Sequence, residues 1–228
     1  MHIQPGVVEG AKMILSYVTG AGSAFLLAKM ARDTVTSDGG AKALILRSIA
    51  TTALVLIFFE VLPHYTRGIS EVHFVFGAML YLIFGGGPAA IGLALGLLLQ
   101  GLVFEPQDLP QYFINVTTLI VPLYLVTRLV KTLVPAHSPY VGLRLWQALA
   151  LAAAYQGGII LIVAFWGFYG QGFGAENVAR IGTFAANYLV VIVVEPLVTM
   201  AALALAKALD PMAVGHPIFY KRLHHPVS

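Results

Sequence analysis

Apolar stretches long enough to cross a lipid bilayer follow one another along almost the whole chain. A transmembrane helix needs about 20 mostly apolar residues, and seven candidate spans meet or approach that length. Five of them cover residues 7–30, 43–62, 109–130, 145–169 and 181–205. The third and fourth spans in chain order share residues 72–104 and are separated by Gly-Gly-Gly-Pro at 85–88. The third is short, and it is either a full crossing or a half-helix that lines a cavity, where irregular backbone is tolerated. We therefore predict an all-α, polytopic membrane protein with about seven transmembrane helices.

The composition supports this prediction and excludes several classes of function. Hydrophobic residues make up 59% of the 228 residues and charged residues only 10%, whereas a soluble domain has roughly a quarter charged residues. We therefore expect one transmembrane domain over residues 1–228, with no soluble module. The chain has no cysteine, which excludes disulfides and thiolate metal sites. It also lacks the Gly-rich phosphate loop of ATPases, and its small excess of cations argues against a nucleic-acid partner.

The positions of the cations predict the orientation of the chain. With the N-terminus outside, one side of the membrane would hold ten Lys and Arg residues and the other only three. The inner ten are Lys29, Arg32, Lys42, Arg47, Arg128, Lys131, Arg144, Lys207, Lys221 and Arg222, and the outer three are Lys12, Arg67 and Arg180. This distribution follows the positive-inside bias. We predict an N-terminus outside and a C-terminus in the cytoplasm, with Glu71, Glu105, Asp108 and Glu176 in the outer loops.

The outward-facing N-terminus begins Met1-His2, a pair with the donors of a chelator. The terminal amine and the His2 amide nitrogen close a five-membered ring on a metal ion, and the amide nitrogen and imidazole Nδ1 close a six-membered ring. Three nitrogens in one plane leave a fourth position for a donor from elsewhere, a geometry that favours Ni(II) or Cu(II) and can accept Co(II). His73, near the outer end of the third span, is a candidate for that donor because ionisable groups at such positions often mark functional sites.

Three stretches of the sequence resemble the substrate-binding membrane component of cobalt/nickel energy-coupling-factor transporters. They are the Met-His-Ile-x-x-Gly start at residues 1–6, the histidine and glycine at His73 and Gly77, and the block at 84–104 followed by Asn-Val-Thr-Thr-Leu-Ile-Val-Pro at 115–122. Their order, their spacing and the span count match that family as far as about residue 122. Two departures are Pro5, where the family commonly has an acidic residue, and Phe74-Val75-Phe76, which replaces a hydroxyl-bearing neighbour of the histidine.

The resemblance implies a site, partners and a location. Residues 1–6 would fold back into a central cavity, where the Met1 amine, the His2 amide and imidazole nitrogens and His73 would bind nickel or cobalt as transported ligand, with no organic cofactor. A separate transmembrane coupling subunit and ATP-binding subunits would drive release inward across the bacterial plasma membrane, so the chain itself would not be an enzyme. The departures leave nickel and cobalt undecided.

Other polar residues in or near the spans have structural as well as functional interpretations. Gln100 and Asn115 are candidates to orient His73 or the folded-back N-terminus, or they form hydrogen bonds between helices. Glu60 and His64, four residues apart, would share one helical face as an interfacial pair or a cation site. For Glu195 we expect a structural partner, and for His224 and His225 a disordered tail.

Two rival functions remain open at this point. An intramembrane zinc enzyme would use Glu60, His64 and His73, although the chain lacks His-Glu-x-x-His or a comparable pair of close ligands. Alternatively, the chain is an organic-solute-binding membrane subunit whose N-terminus is only an anchor. We favour a metal-binding permease component that captures a divalent ion from outside.

Overall fold

The computed structural model describes residues 2–209 and 216–226. The helices are α1 (Ile14–Ser37), α2 (Gly40–Glu60), α3 (Gly77–Phe84), α4 (Gly86–Val103), α5 (Tyr112–Leu133), α6 (Leu145–Gln171), α7 (Ala175–Ala208) and α8 (Lys221–His224). Two short antiparallel strands, β1 (Tyr65–Arg67) and β2 (Ser70–Val72), form a hairpin between α2 and α3. The remaining short elements are 3₁₀ turns at Gly10–Met13, Pro106–Gln111 and Tyr140–Gly142.

The described chain is a polytopic bundle of helices, as predicted. Six helical segments are long and apolar enough to cross a membrane, and α3 is a shorter seventh element inside the bundle. Helices α2 and α4 approach closely because Gly92 and Gly96 face Thr51 and Val55. A Cβ atom added at either glycine would lie 2.3 or 2.5 Å from those side chains, so this small-residue face packs within the protein.

The third predicted span is a half-helix. All eight residues of α3 are buried, and the helix packs among α4, α5, α6 and α7. Residues 72–76 are not helical, since Val72 pairs with Tyr65 in the hairpin. Gly77 begins the helix directly against Tyr155, where an added Cβ would lie 2.1 Å from a ring atom. His73 therefore lies in an extended link before the helix rather than on it.

The first span, predicted over residues 7–30, begins a few residues before the observed helical segment does and ends several residues before it does. The helical part runs from Gly10 to Ser37, because the residues before it pair with the hairpin. Ile3 forms an antiparallel bridge with Ser70, and the Gln4 N–H donates to the Ile69 carbonyl at 3.0 Å. The N-terminal segment thus adds an edge strand beside β2. We call the end of the bundle with this strand the outer end, and the opposite end the inner end.

A buried ion pair closes the inner end. Arg47 of α2 is 1% exposed and pairs with Asp38, which follows α1. The same guanidinium donates to the Pro217 carbonyl at 2.8 Å and to the Phe84 carbonyl, the last of α3, at 3.4 Å. One side chain thus joins α1, α2, α3 and the C-terminal tail.

The C-terminal tail is folded against this end, and the prediction of a disordered tail was wrong for residues 216–226. The Tyr220 N–H donates to the Ile83 carbonyl at 2.8 Å. Arg222 donates to the Val134 carbonyl at 3.0 Å. His224 is partly buried in α8, whereas His225 is exposed, so only the first of these two histidines packs against the inner end.

Candidate metal centre

His2 is held at the outer end by its backbone. Its carbonyl accepts hydrogen bonds from the Glu71 N–H and from Ser70 Oγ, both at 2.9 Å. The residue is only 3% exposed although it is the second of the chain. Within the described residues, no acceptor takes the His2 backbone N–H. The segment is therefore fixed by neighbouring groups, while the His2 amide nitrogen remains available to a ligand.

The extended backbone after β2 directs Glu71 and His73 to the same side. Successive side chains of a strand alternate between its faces, so residues two apart point the same way. His73 is fully buried, and its ring centroid lies 5.0 Å from that of His2, with the rings nearly perpendicular. Gln156 fixes the turn that follows, because its Nε2 donates to the Val75 carbonyl at 2.7 Å.

Three carboxylates surround the His2 ring. Glu71 Oε2 lies 3.2 Å from His2 Nδ1 and 3.6 Å from His73 Nε2. Glu105 Oε2 and Asp108 Oδ2 lie 3.8 and 3.5 Å from the same Nδ1. We call these five residues the outer cluster. Their donor atoms fall into two groups, His2-Glu71-His73 and His2-Glu71-Glu105-Asp108, each within 4.8 Å. Imidazole nitrogens with carboxylate oxygens can hold a divalent transition metal.

Burial sets the protonation of the outer cluster. Desolvation lowers the pKa of His2 to about 4 and lowers the pKa of His73 well below its ordinary value, so both rings are neutral at neutral pH, the form that ligates metals. Burial, the largest single influence, raises the pKa of Glu71, but the hydrogen bonds from His2 and Thr66 and the nearby positive charge together outweigh it, and the pKa lies below its ordinary value. Burial and the neighbouring charge of Glu71 raise the pKa of Glu105.

An aromatic wall and a small cavity flank the two imidazoles. Phe59 of α2 is fully buried, and its ring centroid lies 5.6 Å from that of His2 and 5.2 Å from that of His73. On the other side, a cavity of about 290 Å³ is lined by His2, Glu71 and Asp108 among others. Water is thus excluded behind the imidazoles, and the cavity reaches the cluster on the carboxylate side.

The structure brings together most of the residues predicted from the sequence. His2 and His73 meet as expected, whereas Met1 lies outside the described residues. Asn115 Oδ1 accepts the Ile3 N–H at 3.0 Å, so Asn115 contacts the N-terminal segment, and its role in orienting a metal ligand stays a prediction. Gln100 is fully buried, but its side-chain amide has no hydrogen-bond partner in the part of the chain described here.

The carboxylates were missing from the predicted site. Glu71, Glu105 and Asp108 served only as markers of the outer loops. The alternation Ser-Glu-Val-His at residues 70–73 indicates a strand that places Glu71 beside His73, and this signal is present in the sequence. No comparable pattern links Glu105 and Asp108 to His2, because they lie in the connection between α4 and α5.

The residues of the zinc-enzyme hypothesis take other positions. Helix α2 ends at Glu60, so the prediction that Glu60 and His64 share a helical face was wrong. His64 lies in the following loop with its ring stacked on that of His73, at 5.0 Å between the ring centroids. Among the described residues, Glu60 and His64 do not belong to the metal-donor groups.

Glu195 of α7 accepts the Ala78 N–H at 2.8 Å and the Gln156 amide at 2.6 Å. It caps α3, the structural role expected for it.

Replacing Asn115 tests whether the N-terminal strand positions the cluster. Asn115→Ala removes the acceptor of the buried Ile3 N–H, and we expect roughly 10-fold weaker nickel or cobalt binding, since groups that orient ligands contribute about 10–100-fold. Hydrogen exchange at the Ile3 amide should accelerate in parallel. Asn187→Ala, which removes only a bond to the Thr183 carbonyl within α7, is the matched control. Unchanged affinity in Asn115→Ala would contradict the assignment.

The fold and the cluster together define a class of protein, a helical membrane protein with a site of imidazole nitrogens and carboxylate oxygens at its outer end. Comparison with known proteins agrees. The model of the cobalt uptake substrate-specific transmembrane region family (CbiM) matches residues 2–213, so the chain belongs to this family. It is a transmembrane component of a metal-uptake system.

Solved structures show the same fold. A crystal structure of a transition metal transporter is similar with a TM-score of 0.67 at 18% identity, covering 95% of this chain and 96% of that one. A truncated transition metal transporter gives the same TM-score at 19% identity, over 91% and 99%. No curated protein matches the sequence.

Proposed function

We propose that the chain captures a divalent nickel or cobalt ion from outside and that the outer cluster is where the ion binds. The observation that carries this proposal is the convergence of two neutral, buried imidazoles on one carboxylate. His2 and His73 come from segments far apart in the chain, yet Glu71 Oε2 lies 3.2 and 3.6 Å from their nitrogens. Membership in a cobalt-uptake family supports the same function.

The nitrogen donors would form the core of the site. His2 supplies its imidazole and its amide nitrogen, His73 supplies a second imidazole, and the Met1 amine completes a four-nitrogen set of the kind that Ni(II) and Co(II) accept. The edge strand fixes His2 through its carbonyl, and Asn115 fixes the next amide. The donors therefore need little rearrangement on binding, which favours affinity.

The carboxylates of the outer cluster would add charge and oxygen donors. Glu71 reaches both imidazoles, so its negative charge lies beside any ion held between them and it is near enough to serve as a further ligand. Glu105 and Asp108 extend the negative charge toward the small cavity. Such a field raises the local concentration of divalent cations and speeds their association.

Release inward would require partners. We propose that the chain is the substrate-binding component of an energy-coupling-factor transporter in a bacterial plasma membrane, working with a transmembrane coupling subunit and ATP-binding subunits. In the described structure α3 fills the bundle below the cluster and the tail closes the inner end. An ion at the outer cluster therefore has no open path inward, and an external source of energy must move these elements.

The experiment that tests this function is metal binding by purified protein that retains its native N-terminus. Protein exposed separately to nickel, cobalt and zinc is dialysed, and the bound metal is counted by mass spectrometry. We expect one nickel or cobalt ion per chain, lost in His2→Ala and in His73→Ala. The exposed His137 provides the control His137→Ala, which should bind normally. Full metal binding by His2→Ala would exclude His2 as a ligand, and failure of the native protein to bind any of the three metals would favour the organic-solute alternative.

Glu71→Gln measures the contribution of the carboxylate. The substitution keeps the shape of the side chain but removes the negative charge beside both imidazoles, and we expect about 10–100-fold weaker metal binding. Dissociation constants from competition with a chromophoric chelator give the measurement. Glu176→Gln removes an exposed outer carboxylate without touching the cluster. Equal weakening in both variants would mean that only general surface charge matters.

A further inference from the structure

A second cavity lies at the inner end, away from the outer cluster. Its volume is about 570 Å³, and it is bounded by the inner ends of α1 and α5 and by the tail. Five cations line it: Lys29 from α1, Arg128 and Lys131 from α5, and Lys221 and Arg222 from α8. The acidic lining residues are Asp33 and Asp38. We call this the inner pocket.

Within the described residues, the five cations of the inner pocket outnumber its two acidic lining residues, Asp33 and Asp38. Asp38 is already paired with Arg47, which does not line the cavity. Among the described residues, none of the five lining cations has a carboxylate within 4.0 Å. Like charges from three separate elements thus face one space, an arrangement that is unfavourable without a bound anion.

Arg222 gives a second indication that a ligand belongs there. Its guanidinium donates to the Val134 and Pro135 carbonyls at 3.0 and 2.9 Å and lies over the Tyr140 ring at 4.8 Å. The residue is 8% exposed, and its buried Nε has no hydrogen-bond partner in the described chain. A buried charged donor without an acceptor is costly. Arg222 lines the pocket, and the negative charge of an anion held there would offset part of this cost.

The surroundings point to a lipid as the source of that anion. Phe25 and Leu125 are 70% and 50% exposed, and they lie about one helical turn from Lys29 and Arg128, on the side toward the membrane centre. Acyl chains can pack on these apolar residues while a phosphate group enters the pocket. The charge bias places this end at the cytoplasmic leaflet, whose anionic headgroups bind basic pockets between transmembrane helices.

We propose that the inner pocket binds the phosphate headgroup of an anionic phospholipid from the cytoplasmic leaflet. The headgroup bridges α1, α5 and α8, and so it holds the tail in its docked position beneath α3. The site is separate from the outer cluster and does not depend on the identity of the transported metal.

The test uses full-length protein in mixed micelles that contain either phosphatidylglycerol or phosphatidylcholine. Native mass spectrometry counts the retained lipid, and thermal unfolding reports the stabilisation. We expect phosphatidylglycerol to be retained and to stabilise the protein, and phosphatidylcholine to do neither. The double substitution Arg128→Gln and Lys131→Gln should weaken phosphatidylglycerol retention by roughly 30-fold. Normal nickel or cobalt binding by this variant would show that it is folded.

A charge-matched control separates the pocket from the general basic surface. Lys42→Gln with Lys207→Gln removes two inner cations that do not line the pocket, and it should leave retention unchanged. Equal losses in the two double variants would overturn the proposal. So would stabilisation by inorganic phosphate equal to that by phosphatidylglycerol, which would identify a soluble anion as the ligand. If neither phosphatidylglycerol nor inorganic phosphate binds, the proposal is also overturned, and a protein partner becomes the candidate occupant.

Discussion

A chain extended by two residues ahead of Met1 is expected to bind nickel or cobalt at least about 100-fold more weakly than the native chain. The extension converts the terminal amine into an amide and abolishes the five-membered chelate ring with the His2 amide. Removing a group that only orients a ligand already costs about 10–100-fold, so removing a ligand should cost more. The His2 side chain is 3% exposed, and added residues would also crowd the outer cluster.

The measurement is a competition titration on two proteins that differ only at this terminus. One is cleaved by a protease to leave Met1 first, and the other retains Gly-Ser before it. A third protein with Gly-Ser after Ser228 controls for the added residues, and all three should unfold at the same temperature. If the extended chain binds as tightly as the cleaved one, the terminal amine is not a ligand.

Arg47→Met is expected to be the most destabilising single substitution at the inner end. It leaves Asp38 buried without its partner, and breaking a buried ion pair typically costs about 3–5 kcal/mol. The change also removes the donors to the Pro217 and Phe84 carbonyls. We expect a markedly lower unfolding temperature and faster proteolysis of residues 216–226, measured in the same detergent for both proteins.

A double substitution distinguishes charge from packing. Asp38→Asn with Arg47→Met removes both charges, and replacing a whole buried pair by groups of similar volume is often nearly neutral. Much of the lost stability should therefore return in the double variant. A double variant as unstable as Arg47→Met alone would show that the hydrogen bonds to the tail and to α3, rather than the unpaired carboxylate, account for the loss.

Hydropathy predicted most of the fold because the bilayer requires long apolar helices. The helices α2 and α6 begin and end close to the predicted positions. The prediction failed where backbone pairing competes with helix formation. Residues 7–9 were assigned to the first span, yet the helical segment begins only at Gly10, after residues 2–4 have paired with 69–71. Hydropathy cannot distinguish an apolar residue in an extended segment from one in a helix.

The metal ligands could be predicted where the donor atoms belong to one residue or to residues close together in the sequence. The chelating atoms of His2 belong to one residue, and His73 was found from its position at the end of a span. Glu71 was missed because residues 72–84 were assigned to one helix, in which positions 71 and 73 do not face the same way. Glu105 and Asp108 reach His2 through the turn Pro106–Gln111, and their proximity depends on tertiary packing that a single sequence does not reveal.

The bond between the Ile3 amide and Asn115 has a consequence for biosynthesis. Residue Ile3 is synthesised long before its hydrogen-bond acceptor on α5 and before its pairing partner Ser70, which lies between α2 and α3. The N-terminal segment can therefore pair with the hairpin early, but its hydrogen bond to Asn115 can form only after the fifth helix has been synthesised and inserted. Truncated translation products that stop before this point should lack the Asn115 acceptor and hold the N-terminal segment less firmly.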